Sequence, residues 1–82
     1  MTEEKVFEHV RRMLPKPAPV IKADSTLITN GLIDSLALLD LISALEDEFS
    51  LKFSNDEMIP ENFDSVAAIA RLVEAKSSGG AT

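Results

Sequence analysis

The sequence predicts an all-α fold, a small four-helix bundle of three longer helices and one short helix with a long first loop. Apolar residues recur every three or four positions over three separate segments, which is the spacing of a helix that packs on one side. The 82 residues include four Phe and neither Trp nor Tyr, so we predict an aliphatic core. A chain of this length forms one domain with a thin core.

The first helix is predicted from Thr2 to Leu14. Glu3 and Glu4 lie in its first turn, where the positive end of the helix dipole favours carboxylates, and Pro15 prevents its continuation. The residues predicted to face the core are Val6, Phe7, Val10, Met13 and Leu14.

Residues 15–34 form a connection that is long for a compact domain, and such a length indicates a functional segment. Asn30-Gly31 predicts a turn near its end. Apolar residues along the connection predict that it packs across the helices. They are Val20, Ile21, Leu27, Ile28, Leu32 and Ile33.

The second helix is predicted from Ser35 to about Phe49 and has two apolar stripes. The first stripe suits the core and consists of Leu38, Leu41, Ile42, Leu45 and Phe49. The second stripe lies off that face and consists of Leu36 and Leu39, followed at the same spacing by Ser43. A domain this small has no second core, so we expect Leu36 and Leu39 to form an exposed patch, which is typical of a partner surface.

A short helix or helical turn is predicted within residues 54–63, and a last helix from Asp64-Ser65 to about Lys76. The predicted core residues of the last helix are Val66, Ile69, Leu72 and Val73. Residues 77–82 have no large apolar side chain to bury and are predicted to form a disordered C-terminal tail. The predicted domain therefore covers residues 1–76.

Composition disfavours several functional classes. The net charge of −6 disfavours binding to nucleic acid and favours basic protein partners. The chain has no Cys, which excludes disulfides and thiolate chemistry, and we predict no metal site. Residues 1–14 lack the apolar segment of a signal peptide, and no apolar stretch approaches membrane-spanning length. We therefore expect a cytoplasmic protein, and we separately predict a monomer.

The dipeptide Asp-Ser occurs three times, and only one occurrence has an unusual context. Asp24-Ser25 is interpreted as a turn within the loop, and Asp64-Ser65 as the cap of the last helix. Asp34-Ser35 follows a glycine turn and begins the helix with the second apolar stripe. A helix cap is the simpler interpretation of the dipeptide alone, but its surroundings favour a modification site at Ser35.

Chemistry at Ser35 supports modification better than catalysis. The N–H groups and the dipole at a helix start stabilise a phosphate ester. Nucleophilic catalysis by Ser35 would require an adjacent base and an oxyanion site. The single histidine, His9, lies in the middle of the first helix and is expected to be an ordinary surface residue. Asp34 is expected to cap the helix or to help hold a metal-bound donor in the modifying enzyme.

Three motifs resemble the acyl and peptidyl carrier protein family. They are Gly-Leu-Ile-Asp-Ser-Leu at 31–36, Leu-Glu-Asp-Glu-Phe at 45–49, and Phe-Asp-Ser-Val at 63–66 followed by Ile69. The resemblance covers about residues 2–76 and implies a carrier that is not itself an enzyme. It also implies that a serine bears 4'-phosphopantetheine, transferred from coenzyme A by a phosphopantetheinyl transferase. The thiol of this group would hold an acyl or aminoacyl cargo as a thioester.

The resemblance assigns the attachment of phosphopantetheine to Ser35, with Asp34 as its neighbour in the signature. Several residues match positions that contact partner enzymes in the family: Leu36, Leu39, Asp40, Ser43, Glu46 and Asp47. The implied partners are a loading enzyme (an adenylating ligase or an acyltransferase) and a downstream synthase or transferase. Charge pairs with Arg and Lys on such enzymes would mainly steer encounter.

Two departures separate the chain from housekeeping fatty-acid carriers. Ala37 stands where those carriers usually have an acid, and Ser43 replaces a larger apolar residue. The motifs at 31–35 and 63–66 are more similar to those of discrete carriers. We therefore predict a stand-alone carrier in a polyketide, nonribosomal peptide or amino-acid-transfer pathway, D-alanyl transfer included.

The alternative function is an unmodified acidic helical adaptor that binds basic partners through the second helix. The same leucines and carboxylates would serve it, but it leaves the Gly-Leu-Ile-Asp-Ser motif unexplained. An autonomous hydrolase ranks below both functions because no base accompanies Ser35.

Overall fold

The computed structural model describes residues 2–14 and 20–80, with side chains as far as Lys76. It contains α1 (Thr2–Met13), α2 (Ser35–Phe49), α3 (Pro60–Phe63) and α4 (Val66–Gly80). Helix α1 packs against α4 and α2, and α3 packs against α4. No strand occurs among these residues, and the predicted all-α fold of three longer helices and one short helix is confirmed. None of the described helices is long and apolar enough to cross a membrane.

The bounds of the helices follow the prediction except at the end of α4. Helix α2 begins at Ser35 and ends at Phe49, and α1 ends one residue before the predicted Leu14. Helix α4 continues to Gly80 instead of ending near Lys76, because extending an already packed helix is far less costly than nucleating one. The disorder predicted for 77–82 stays a prediction. Pro15 and residues 81–82 lie outside the described residues.

The core is mostly aliphatic and draws on every helix and on the long loop. Phe63 in α3 is completely buried, and its ring meets that of Phe53 edge to face, with 5.4 Å between the centroids. The other buried residues are Val6, Val10, Leu14, Ile21, Leu27, Ile33, Leu41, Ile42, Leu45, Val66, Ile69, Ala70 and Val73. Phe7, Met13, Leu38, Phe49 and Leu72, all predicted core residues, are partly buried against this cluster.

The long loop packs across the helices as predicted, except at its beginning. Ile21, Leu27 and Ile33 are buried, whereas Val20 is 95% exposed. The prediction for Val20 was wrong because the apolar character of a loop residue does not determine which of two neighbours meets the core, and here Ile21 is the buried one.

The turn predicted at Asn30-Gly31 is present. Gly31 has φ +74°, a left-handed conformation that glycine adopts without steric cost, and its N–H donates to the Ile28 carbonyl at 3.0 Å. The turn brings the N–H groups of Leu32 and Ile33 to the Leu27 carbonyl, at 2.8 and 3.1 Å. The chain is thereby directed back toward the core just before α2 begins.

Candidate functional site

Asp34 is the N-cap of α2. Its backbone is extended, its Oδ1 accepts a hydrogen bond from the Ala37 N–H at 2.8 Å, and its carbonyl accepts one from the Leu38 N–H at 2.8 Å. A short side chain with an acceptor oxygen is the type that caps helices best. The capping role expected for Asp34 is therefore confirmed, and Ser35 is the first residue of the helix.

Ser35 is exposed at this helix start. The first N–H groups of any α-helix have no intrahelical acceptor, and the helix dipole is positive at that end. Since Asp34 supplies the cap, the hydroxyl of Ser35 is not needed to begin the helix. It is thus accessible to another enzyme and lies where an attached anion would be stabilised.

The three Asp-Ser pairs differ in which residue forms a local hydrogen bond. Ser25 Oγ accepts from the Lys22 N–H at 2.9 Å within a turn, and Ser65 Oγ accepts from the Ala68 N–H at 3.0 Å at the start of α4. At Asp34-Ser35 the aspartate forms the capping bond instead. Within the described residues, Ser35 is the Asp-Ser serine whose hydroxyl makes no hydrogen bond to the fold.

At Asp64-Ser65 the structure corrects the prediction that the pair serves as the cap of the last helix. Ser65 caps α4, but the side chain of Asp64 is bonded to residues 27–29 of the long loop. The sequence contained one signal for this, because two residues able to cap stand side by side at 64–65 and only one can occupy the N-cap. Nothing local indicates where the other side chain bonds.

An exposed face of α2 follows Ser35. Leu36 and Leu39 are 75% and 60% exposed, which confirms the exposed apolar patch. Asp40, Ser43 and Asp47 are exposed as well. Residues three and four apart lie side by side on a helix, so these five residues form one continuous face of mixed apolar and acidic character.

Glu46 differs from the other predicted contact residues because its carboxylate is used within the fold. Its Oε2 accepts a hydrogen bond from the Phe53 N–H at 2.9 Å, and its side chain is only 18% exposed. It therefore holds the chain that follows α2, and the exposed acidic groups on this face are Asp40 and Asp47.

His9 is not the ordinary surface residue that the sequence predicted. Its side chain is 13% exposed, and Nε2 lies 3.0 Å from Oε1 of Glu48, so it joins α1 to α2. Lys5 Nζ lies 3.7 Å from Glu48 Oε2. The hydrogen bond with His9, and next the positive charge of Lys5, hold the pKa of the Glu48 carboxyl below its ordinary value. His9 thus has a structural role in joining α1 to α2.

The lowered pKa of the Asp64 carboxyl predicts that the stability of the fold depends on pH. Hydrogen bonds from the Thr29 hydroxyl, and next from the Thr29 N–H, hold the pKa of this carboxyl below its ordinary 3.8. Such a group stabilises the fold fully above the pKa that it has in the unfolded chain, and this contribution is lost as pH falls through the lower folded pKa. We expect wild type to be more stable than Asp64→Asn at neutral pH, and the difference to narrow below pH 3.8.

Urea unfolding of both proteins over a pH series measures this difference. The comparison cancels the contributions of Glu48 and Glu57, whose pKa values are also lowered. A stability difference that stays constant with pH would contradict the role given to the Asp64 carboxylate.

Two comparisons with known proteins agree with each other. A family model described as "Phosphopantetheine attachment site" matches residues 4–73, which include most of α1, the long loop, α2, α3 and the first half of α4. The chain is also 33% identical over 75 residues to a protein from Clostridium acetobutylicum named "Acyl carrier protein". That alignment covers 92% of this chain and 95% of the relative.

Proposed function

The chain belongs to the family of carrier proteins that bear covalent 4'-phosphopantetheine, and we propose that Ser35 is the residue to which this group is attached. Members of this family carry cargo for enzymes and are not themselves catalysts. We propose further that the chain is a carrier that presents an acyl or aminoacyl thioester to biosynthetic enzymes.

The observation that supports Ser35 most directly is its unused hydroxyl at the start of α2. Asp34 forms the capping bond, whereas Ser25 and Ser65 use their hydroxyls to hold a turn and a helix start. A modification at either of those positions would break a local hydrogen bond. A modification at Ser35 breaks none among the described residues.

The surroundings of Ser35 fit a phosphodiester. The N–H groups of Ser35 and Leu36 lie at the positive end of a helix of 15 residues, where an anion is stabilised. When bound, phosphopantetheine supplies a flexible arm with a thiol, which a chain without cysteine does not otherwise possess.

Attachment replaces the O–H bond of the Ser35 hydroxyl with an O–P bond. The Oγ of Ser35 forms a bond to the phosphorus atom of coenzyme A that bears the pantetheine. The pyrophosphate P–O bond of coenzyme A breaks, 3',5'-adenosine bisphosphate leaves, and the proton of the hydroxyl passes to a base of the transferase. The described part of the chain contributes the position of Oγ, and the base belongs to the transferase.

The exposed face of α2 is proposed as the partner surface. Leu36 and Leu39 offer apolar contact beside Ser35, and Asp40 and Asp47 offer charges for Arg and Lys on a transferase, a loading enzyme and a downstream synthase. Ser43 lies between them and leaves room for a larger partner side chain. Charge pairs of this kind raise the rate of encounter more than the affinity.

The pathway rests on the motifs at 31–35 and 63–66 together with Ala37 and Ser43. They support a polyketide, nonribosomal peptide or amino-acid-transfer pathway over general fatty-acid synthesis. A cytoplasmic location and a monomeric state belong to the same proposal. Loading assays with adenylating enzymes and with acyltransferases would separate an aminoacyl from an acyl cargo.

The test is the intact mass of the wild-type protein after incubation with coenzyme A, magnesium and a broad-specificity phosphopantetheinyl transferase. We expect the addition of one phosphopantetheine, located by fragmentation to Ser35. Addition at Ser25 or Ser65 would overturn the assigned site. No addition to the folded protein, with a known carrier modified in the same reaction, would favour the unmodified adaptor.

A further inference from the structure

Asp64, at the junction between α3 and α4, binds a loop segment that lies far from it in sequence. Its Oδ1 accepts hydrogen bonds from the N–H groups of Leu27, Ile28 and Thr29, at 3.1, 2.7 and 3.0 Å. Its Oδ2 accepts one from the Thr29 hydroxyl at 2.6 Å. One carboxylate therefore holds three consecutive residues of the segment.

The backbone around Asp64 strengthens the same attachment. The Asp64 carbonyl accepts a hydrogen bond from the Leu27 N–H at 2.7 Å, and the Ala67 N–H donates to the Ala23 carbonyl at 2.8 Å. The loop is thus held at two points against the beginning of α4.

The attachment extends to the start of α2 through Leu27. The Leu27 carbonyl accepts hydrogen bonds from the N–H groups of Leu32 and Ile33, at 2.8 and 3.1 Å. The side chains of Leu27 and Ile33 are both buried. Ile33 is followed directly by the cap Asp34 and by Ser35, so these hydrogen bonds connect the position of Leu27 to the start of α2.

Asp64 is not required to begin α4, because Ser65 supplies that cap. A carboxylate in a chain of net charge −6 also adds to the repulsion among its acids. The side-chain hydrogen bonds of Asp64 are all directed to the loop. Its contribution is therefore concentrated on the segment that leads to Ser35.

We propose that Asp64 is a positioning residue for the modification of Ser35, which it serves by fixing residues 27–33 against the start of α4. This inference rests on the proposed attachment of phosphopantetheine at Ser35. Transfer requires the Ser35 oxygen to lie in line with the reacting phosphorus, and a displacement of about 1 Å can lower such a rate by as much as 10²-fold.

The test compares the kinetics of phosphopantetheine transfer to wild type, Asp64→Asn, Thr29→Val and Ser65→Ala. Thr29→Val removes the shortest bond of the attachment from the loop side. Ser65→Ala is the matched control, because it weakens the same helix start and leaves the Asp64 carboxylate in place. Hydrogen exchange of the Leu32 and Ile33 amides in the unmodified proteins gives a second readout.

For Asp64→Asn we expect kcat to fall by at least about tenfold with KM changed by less than about threefold, since the partner face is intact. Thr29→Val should lower kcat in the same direction by a smaller factor, and Ser65→Ala should leave it unchanged. Amide exchange at Leu32 and Ile33 should accelerate in the first two variants more than in the control.

A purely structural role gives a different result. Partial unfolding reduces the concentration of competent protein, so it raises KM and leaves kcat unchanged. That pattern in Asp64→Asn, or an unchanged kcat in both Asp64→Asn and Thr29→Val, would overturn the inference while wild-type modification still supports the proposed function. If Asp64→Asn does not fold, the comparison of kcat between Thr29→Val and Ser65→Ala tests the inference instead. A wild type that is not modified at all overturns both.

Discussion

Replacing Ser35 with alanine is expected to abolish the addition of phosphopantetheine while changing the free energy of unfolding by less than about 0.5 kcal/mol. The loading is lost because the acceptor oxygen is removed and no other Asp-Ser serine has an unused hydroxyl. The stability is retained because Ser35 is exposed, Asp34 still caps α2, and alanine is the best helix former.

The other two Asp-Ser serines provide matched controls for Ser35→Ala. Ser65→Ala removes a helix cap and is expected to cost about 0.5–2 kcal/mol, yet it should still be modified once by the transferase. Ser25→Ala removes the bond from the Lys22 N–H and should also be modified. Intact mass and urea unfolding of the three variants measure loading and stability separately. A folded Ser35→Ala protein that gains phosphopantetheine would refute the site.

Replacing Phe63 with alanine is expected to give the largest loss of stability in the molecule. Phe63 is completely buried, and its ring contacts Phe53 edge to face. Truncating a buried Phe costs about 3–5 kcal/mol. A domain of this size has a total stability of roughly 5 kcal/mol, so the variant is expected to be largely unfolded.

Circular dichroism and thermal melting of Phe63→Ala measure this loss. Phe63→Leu keeps most of the buried volume and should remain folded with a lower Tm. Val20→Ala is the exposed control and should change the stability by less than about 0.5 kcal/mol, since Val20 is 95% exposed. A cooperative melt of Phe63→Ala near the wild-type Tm would contradict the placement of Phe63 at the centre of the core.

The helices and the start of α2 at Ser35 could be predicted because their signals are local. The apolar spacing within 2–14 and 35–49 matches the observed α1 and α2 almost residue for residue. Asp34 and Ser35 are adjacent, and the acceptor oxygen of the aspartate is enough to set the start of α2. The turn that precedes them depends on the positive φ of one residue, Gly31.

Two of the errors concern side chains whose partners are distant in sequence. His9 pairs with Glu48 across 39 positions, and Asp64 reaches Thr29 across 35. Neither His9 nor Asp64 has a neighbour within one helical turn that would indicate its partner. Val20 illustrates the same limit for an apolar residue, because its hydrophobic side chain predicted burial and the path of the chain leaves it exposed.

The sequence by itself determined the all-helical fold, the start of α2 and the serine that stands there, because periodicity, capping and turn formation act over a few residues. Only the tertiary structure decided what each of the three Asp-Ser pairs does. It assigned Ser65 to the cap of α4, freed Asp64 to hold the loop before α2, and left the Ser35 hydroxyl without a hydrogen bond among the described residues. These outcomes depend on which segments pack together, and packing joins groups that no local pattern relates.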